Sequence, residues 1–151
     1  MGKKDDKVIA TQAVEEFFSS LEVDGSVTVE VDEETVNVLL DTKDSGIVIG
    51  YHGEILESIE IILSLIISRK LGRFVRVAVE VGDYKKNRSV YLENLASQMK
   101  DRVLEDKKEY TIPNLKSWER RIIHLFLQND EEVISESSGE GRERTLVIRP
   151  R

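Results

Sequence analysis

Two short stretches of this chain carry residue types whose spacing permits chemistry. The first, Gly50-Tyr51-His52-Gly53, places a glycine at each end of a tight turn. Glycine lets the backbone turn sharply there and clears side chains from the path of a ligand backbone. The intervening amides and the N-terminus of a following helix then face solvent, where a phosphate can sit. Ordinary helix-to-helix turns share this spacing, and the spacing alone favours the plain turn. The second stretch, Trp118-Glu119-Arg120-Arg121-Ile122-Ile123-His124, sets Arg120 and His124 four residues apart, one above the other on a helix face. A fork-shaped guanidinium and an imidazole so placed can grip one phosphate, with Arg121 adding charge beside them. The ordinary alternative pairs Arg120 with a nearby acid and leaves His124 half-buried, its ring satisfied by backbone.

Charge and composition set the frame for these motifs. The 151 residues include 22 basic and 29 acidic side chains, for a formal charge of -7, and no cysteine. Such an acidic chain is at first sight a poor partner for nucleic acid, whose binders usually carry a basic stripe. Residues 1–45, however, hold 12 of the acids and only 4 of the bases, whereas the remainder is balanced at 17 and 18. In that remainder the bases cluster near the two motifs: Arg69, Lys70, Arg73 and Arg76; Lys85, Lys86 and Arg88; Arg120 and Arg121; Arg142, Arg144, Arg149 and Arg151. Any one cluster reads by default as solvated surface. Zero cysteine removes disulfides, thiolate metal sites and thiol nucleophiles together. It fits a reducing, cytoplasmic location, and no apolar run approaches the length of a membrane span.

The elements that must position the motifs follow from periodicity. Ala10, Val14, Phe17, Phe18 and Leu21 form the inward stripe of a helix over 8–21, stopped by Asp24-Gly25. Val27, Val29 and Val31, then Val36, Val38 and Leu40, alternate as a hairpin around Asp32-Glu33-Glu34. A short apolar turn, Ile47-Val48-Ile49, leads into the glycine motif. Next comes a helix over 54–70, apolar on most of its circumference and ended by Gly72, and then a strand over 74–82. Asp83 is placed to cap a long helix with Leu92, Leu95, Met99 and Val103 inward. Glu109 to Ile112 reads as a short strand. Ser117 or Asn114 caps a helix to Gln128 with Trp118, Ile122, Leu125 and Phe126 inward. Val133–Ser137 and Arg144–Ile148 form two strands joined by a turn at 138–141. No linker separates the halves, so two tightly joined domains with restricted relative motion are expected. The order up to residue 82 is that of a type II KH module, which clamps about four nucleotides of single-stranded nucleic acid against its G-x-x-G loop.

With Gly50-Tyr51-His52-Gly53 in residues 46–82, Glu119 to Leu125, and the tail Ser135-Glu136-Ser137-Ser138-Gly139-Glu140-Gly141-Arg142-Glu143-Arg144, the chain resembles the Jag family of SpoIIIJ-associated bacterial proteins. The resemblance covers nearly everything from residue 8 onward. It implies an α+β fold in which 1–82 form a type II KH-like domain (α-β-β-α-α-β), with 1–7 as a disordered tail. Residues 83–151 then form a small α/β domain with two helices and a short antiparallel sheet, named for its Arg-x-x-x-His signature. It further implies binding of single-stranded RNA, or single-stranded DNA, at Gly50 to Gly53 and at Arg120 and His124. Arg121, Arg142 and Arg144 would stand nearby. A post-transcriptional regulator acting on cell envelope and division follows from the same likeness, with no cofactor and no metal. A small single-KH protein (KhpA-like) or a second copy of the chain would be its partner. Members often begin with an additional N-terminal module, which this chain is expected to lack. Their loop usually carries lysine or arginine where Tyr51 and His52 stand, so weaker phosphate attraction is expected here. Tyr51 can stack on a base or sugar instead, and an imidazole gains charge in mildly acidic solution.

Two other functions compete. Catalysis has little support, because neither histidine stands in a Ser-His-Asp order or a metal-ligand spacing, and no nucleotide-binding glycine pattern occurs. Protein binding is the stronger competitor, since the helix over 54–70 carries more apolar surface than a domain of its size readily covers.

Overall fold

A computed structural model describes residues 2–151 as a chain of helices and two small sheets, dividing between Lys85 and Lys86 into two units. The first unit runs α1 (Lys3–Ser20), β1 (Gly25–Val31), β2 (Thr35–Thr42), α2 (Ser45–Ile49), a single 3-10 turn at Tyr51–Gly53, α3 (Glu54–Leu71) and β3 (Arg76–Val81). Its sheet has the order β1-β2-β3. β1 pairs antiparallel with β2 (Val29 opposite Val38), and β3 lies parallel to β2 (Val38 opposite Val79). The alternating valines thereby share one face. Against that face pack Ala10, Val14 and Phe18 of α1 and Leu56, Ile59, Leu63 and Ile67 of α3. Each large aliphatic side chain so buried stabilises the unit by about 2 kcal/mol.

Two expectations need correction here. Residues 3–7, read as a tail, form the first turns of α1. Charges tie them down: Arg73 Nη2 donates to Asp6 at 2.8 Å and Lys7 Nζ to Glu30 at 3.2 Å. Leu21, read as part of the inward stripe, stands half-exposed just beyond the last helical turn, while Val23 packs against the core.

The polar residues of α3 cover the free edge of β3. Glu60, Ser64 and Ser68 recur every four residues on one side of the helix. Glu60 Oε2 accepts the Val79 amide (3.0 Å), Ser64 Oγ the Val77 amide (2.9 Å) and Ser68 Oγ the Val75 amide (2.9 Å). Lys85 Nζ also reaches Glu60 Oε2, at 3.1 Å. An edge strand whose alternate amides are already bonded no longer offers a template for another strand.

The second unit comprises most of α4 (Tyr84–Asp106), β4 (Tyr110–Ile112), α5 (Ser117–Leu127), β5 (Val133–Ser138), a 3-10 turn at Gly141–Glu143 and β6 (Thr145–Pro150). Its sheet is antiparallel throughout, in the order β4-β6-β5. Leu92, Ala96 and Val103 of α4 and Ile123 and Leu127 of α5 bury against Val133, Leu146 and Ile148. The inward face of α5 differs from the expected one. Glu119, Ile123 and Leu127 point in, Trp118 and Ile122 lie at the margin, and Leu125 and Phe126 are half-exposed. Glu119 decides this rotation. Its Oε1 receives Arg88 Nε at 2.9 Å, and its Oε2 accepts the Lys116 amide at 3.0 Å. That second bond caps the helix at Lys116, rather than at Ser117 or Asn114. Among the described residues, no helix is long and apolar enough to cross a membrane.

Candidate nucleic-acid interface

The loop of the first unit depends on its glycines. Gly50 ends α2 with φ +69°, and a Cβ there would lie 2.5 Å from Ile55 Cγ1. Gly53 is buried at φ +77°, where a Cβ would come within 3.0 Å of the Tyr84 hydroxyl. Both positions combine a left-handed backbone with a near neighbour, so both exclude larger residues. Between them, His52 also adopts left-handed angles (φ 50°, ψ 30°), which a side chain disfavours. The rings of Tyr51 and His52 stack, with centroids 4.0 Å apart and planes inclined by 12°. Tyr51 is 73% exposed. The helix that follows carries acids, Glu54 and Glu57, in its first turn.

In the second unit, Arg120 and His124 occupy neighbouring turns on the same flank of α5. Arg120 folds back on the start of its own helix, its guanidinium donating to the Leu115 carbonyl and, at 3.2 Å, to the Ser117 hydroxyl. No carboxylate pairs with it among the described residues. His124 is exposed, and its Nδ1 lies 2.9 Å from Ser135 Oγ on β5. The two ordinary alternatives therefore do not hold: Arg120 keeps its charge free of an acid, and the imidazole is held by a side chain rather than by backbone.

The remaining cations are less closely gathered. Arg121 is exposed and points about 100° around the helix from Arg120. A short connection returns α5 into β5, with Asp130 Oδ1 accepting the Glu132 and Val133 amides at 2.8 and 3.1 Å. Arg142 and Arg144 lie on the exposed link between β5 and β6, and among the described residues no hydrogen bond joins either to Arg120 or His124. The link spans 139–144, shifted by one residue from the interval 138–143 left between the strands expected from the sequence.

Ser135, Glu119 and Arg88 support the site, and spacing alone does not single them out. Ser135 stands two residues beyond inward Val133 and so shares its face of β5, a placement that could have marked it as an inward polar residue. Glu119 sits where a capping box puts its acid. Arg88 carried no local signal, because its partner lies 31 residues away.

Comparison with known proteins places each unit in a domain family. Residues 10–81 match the family described as KhpA/KhpB, KH domain. Residues 90–150 match the R-three-H domain, the one named for its Arg-x-x-x-His signature. Three relatives share the name RNA-binding protein KhpB. That of Clostridium symbiosum is 32% identical over 141 residues, which cover 92% of this chain and 64% of the relative. That of Bacillus subtilis (strain 168) is 32% identical over 124 residues, covering 81% and 60%. The protein from Streptococcus pneumoniae serotype 2 is 26% identical over 135 residues, covering 89% and 41%. The chain thus spans less than two thirds of the length of these relatives. With a KhpA/KhpB-type KH domain followed by an Arg-x-x-x-His domain, the chain belongs to the Jag, or KhpB-like, family.

Proposed function

We propose that the chain binds single-stranded RNA, the first unit through Gly50–Gly53 and the second through Arg120 and His124. The observation that carries this reading is the pair on α5: a guanidinium free of any acid among the described residues, one helical turn from an exposed imidazole steadied by Ser135. A phosphate meeting both would gain charge-assisted hydrogen bonds without first breaking an ion pair. The relatives named as RNA-binding proteins support the ligand class. A post-transcriptional role in bacterial cytoplasm is the physiological reading that this activity suits. The test is affinity for an unstructured RNA oligomer measured across a salt series. R120A is expected to weaken binding about tenfold and to reduce the salt slope by roughly one. An unchanged slope would remove Arg120 from the interface.

A second, compatible reading concerns α3. Ile55, Ile61, Ile62 and Leu65 are each between 44% and 64% exposed on its outer side. An apolar strip of that kind suits a protein partner, either a small KH-domain protein or a second copy of the chain. L65E should abolish such an association in light scattering while leaving RNA affinity intact.

A further inference from the structure

The Gly50–Gly53 loop is poorly charged for a phosphate grip. Neither residue between the glycines carries a fixed cation, and Glu54 and Glu57 follow at once in the first turn of α3. Carboxylates in that position already complement the helix N-terminus and repel an arriving phosphate. What the loop presents instead is a pair of flat rings, stacked at 4.0 Å and inclined by only 12°. Tyr51, at 73% exposure, turns much of its ring to solvent, and His52 holds a left-handed backbone while its ring lies against that of Tyr51. A disfavoured conformation that displays apolar ring surface to water is unfavourable on both counts, unless something lands on it.

We infer that the Tyr51–His52 stack is a platform for one unpaired nucleobase, which lies on the solvent face of Tyr51 and extends the stack to three rings. The inference rests on the RNA-binding reading and specifies what the first unit contributes to it: contact with a base rather than with a phosphate. Every base has a π-face, so the platform tolerates sequence variation and needs no cation. The two units then divide the work by chemistry. The second attracts the charged backbone through Arg120, and the first holds a neutral base.

The experiment compares wild-type chain and Y51A on an unstructured RNA oligomer and on its abasic counterpart, each over a salt series. Y51A is expected to bind the base-bearing oligomer about tenfold more weakly, with an unchanged salt slope. On the abasic oligomer it should match wild type, and Y51F should retain wild-type affinity throughout. Tyr51 is exposed, so the melting temperature of Y51A should not change and serves as the folding control. Equal affinity of Y51A and wild type for base-bearing RNA overturns the platform and leaves the RNA-binding reading standing. A loss equally large on abasic RNA, or one that lowers the salt slope, also overturns it, because the contact would then be to the backbone. Failure of the wild-type chain to bind either oligomer overturns both readings.

Discussion

Ser135 enters the proposed interface through a single hydroxyl. Buried at 6% exposure and 2.9 Å from His124 Nδ1, it can donate to a neutral imidazole or accept from a charged one. Either way it fixes the ring plane and leaves Nε2 for a ligand. S135A is expected to weaken RNA binding about fivefold, the equivalent of one hydrogen bond, and S135T to restore most of it. Nitrogen NMR of the imidazole separates this effect from general damage. Loss of affinity with an unaltered His124 signal would mean that Ser135 acts elsewhere. The spacing of Arg120 and His124 was legible in the sequence because it is local to one helix. Their freedom from acidic partners among the described residues was not, since that depends on where each carboxylate comes to lie.

At the scale of elements, α5 shows where periodicity misleads. Its sequence offers two apolar stripes, and hydrophobicity alone favours the one through Trp118, Ile122, Leu125 and Phe126. The helix instead turns Glu119, Ile123 and Leu127 inward, because Glu119 satisfies both Arg88 and the Lys116 amide. A carboxylate at 1% exposure is tolerable only with such partners. E119A should therefore destabilise the second unit by about 3 kcal/mol, leaving Arg88 uncompensated and the helix start uncapped. Urea unfolding followed by Trp118 fluorescence would measure it, and a loss below about 1 kcal/mol would show that Glu119 does not set the rotation of α5. By contrast, the strands of the first unit were readable almost residue by residue. Their valines alternate strictly, and a one-residue slip would expose the whole set.

For the molecule as a whole, acid stability offers a test that reaches beyond the interface. The hydrogen bond from Lys100 Nζ to Asp130 (2.7 Å), aided by the Glu132 and Val133 amides, holds the Asp130 carboxyl below its ordinary 3.8. A carboxyl depressed on folding contributes stability that is complete above its unfolded value and is lost as pH falls through the folded one. The same pair raises Lys100 above its ordinary 10.5, so that contribution persists below 10.5 and fades only as pH rises past the raised value. Wild-type stability should stay level from about pH 7 to 5 and decline below about 4, whereas D130N should start lower and decline less steeply. Parallel declines in the two proteins would exclude this pair as a source of acid sensitivity. Apart from α2, which reads as an apolar turn at 47–49, the sequence by itself determined the order of helices and strands, the two motifs and the acidic bias of the first third, because each rests on neighbours within a few residues. Only the tertiary structure decided which face of α5 turns inward, that Ser135 meets His124, and that the edge of β3 is covered by Glu60, Ser64 and Ser68. Those outcomes pair groups that are remote in sequence, and burial makes each pairing obligatory once the chain has closed around it.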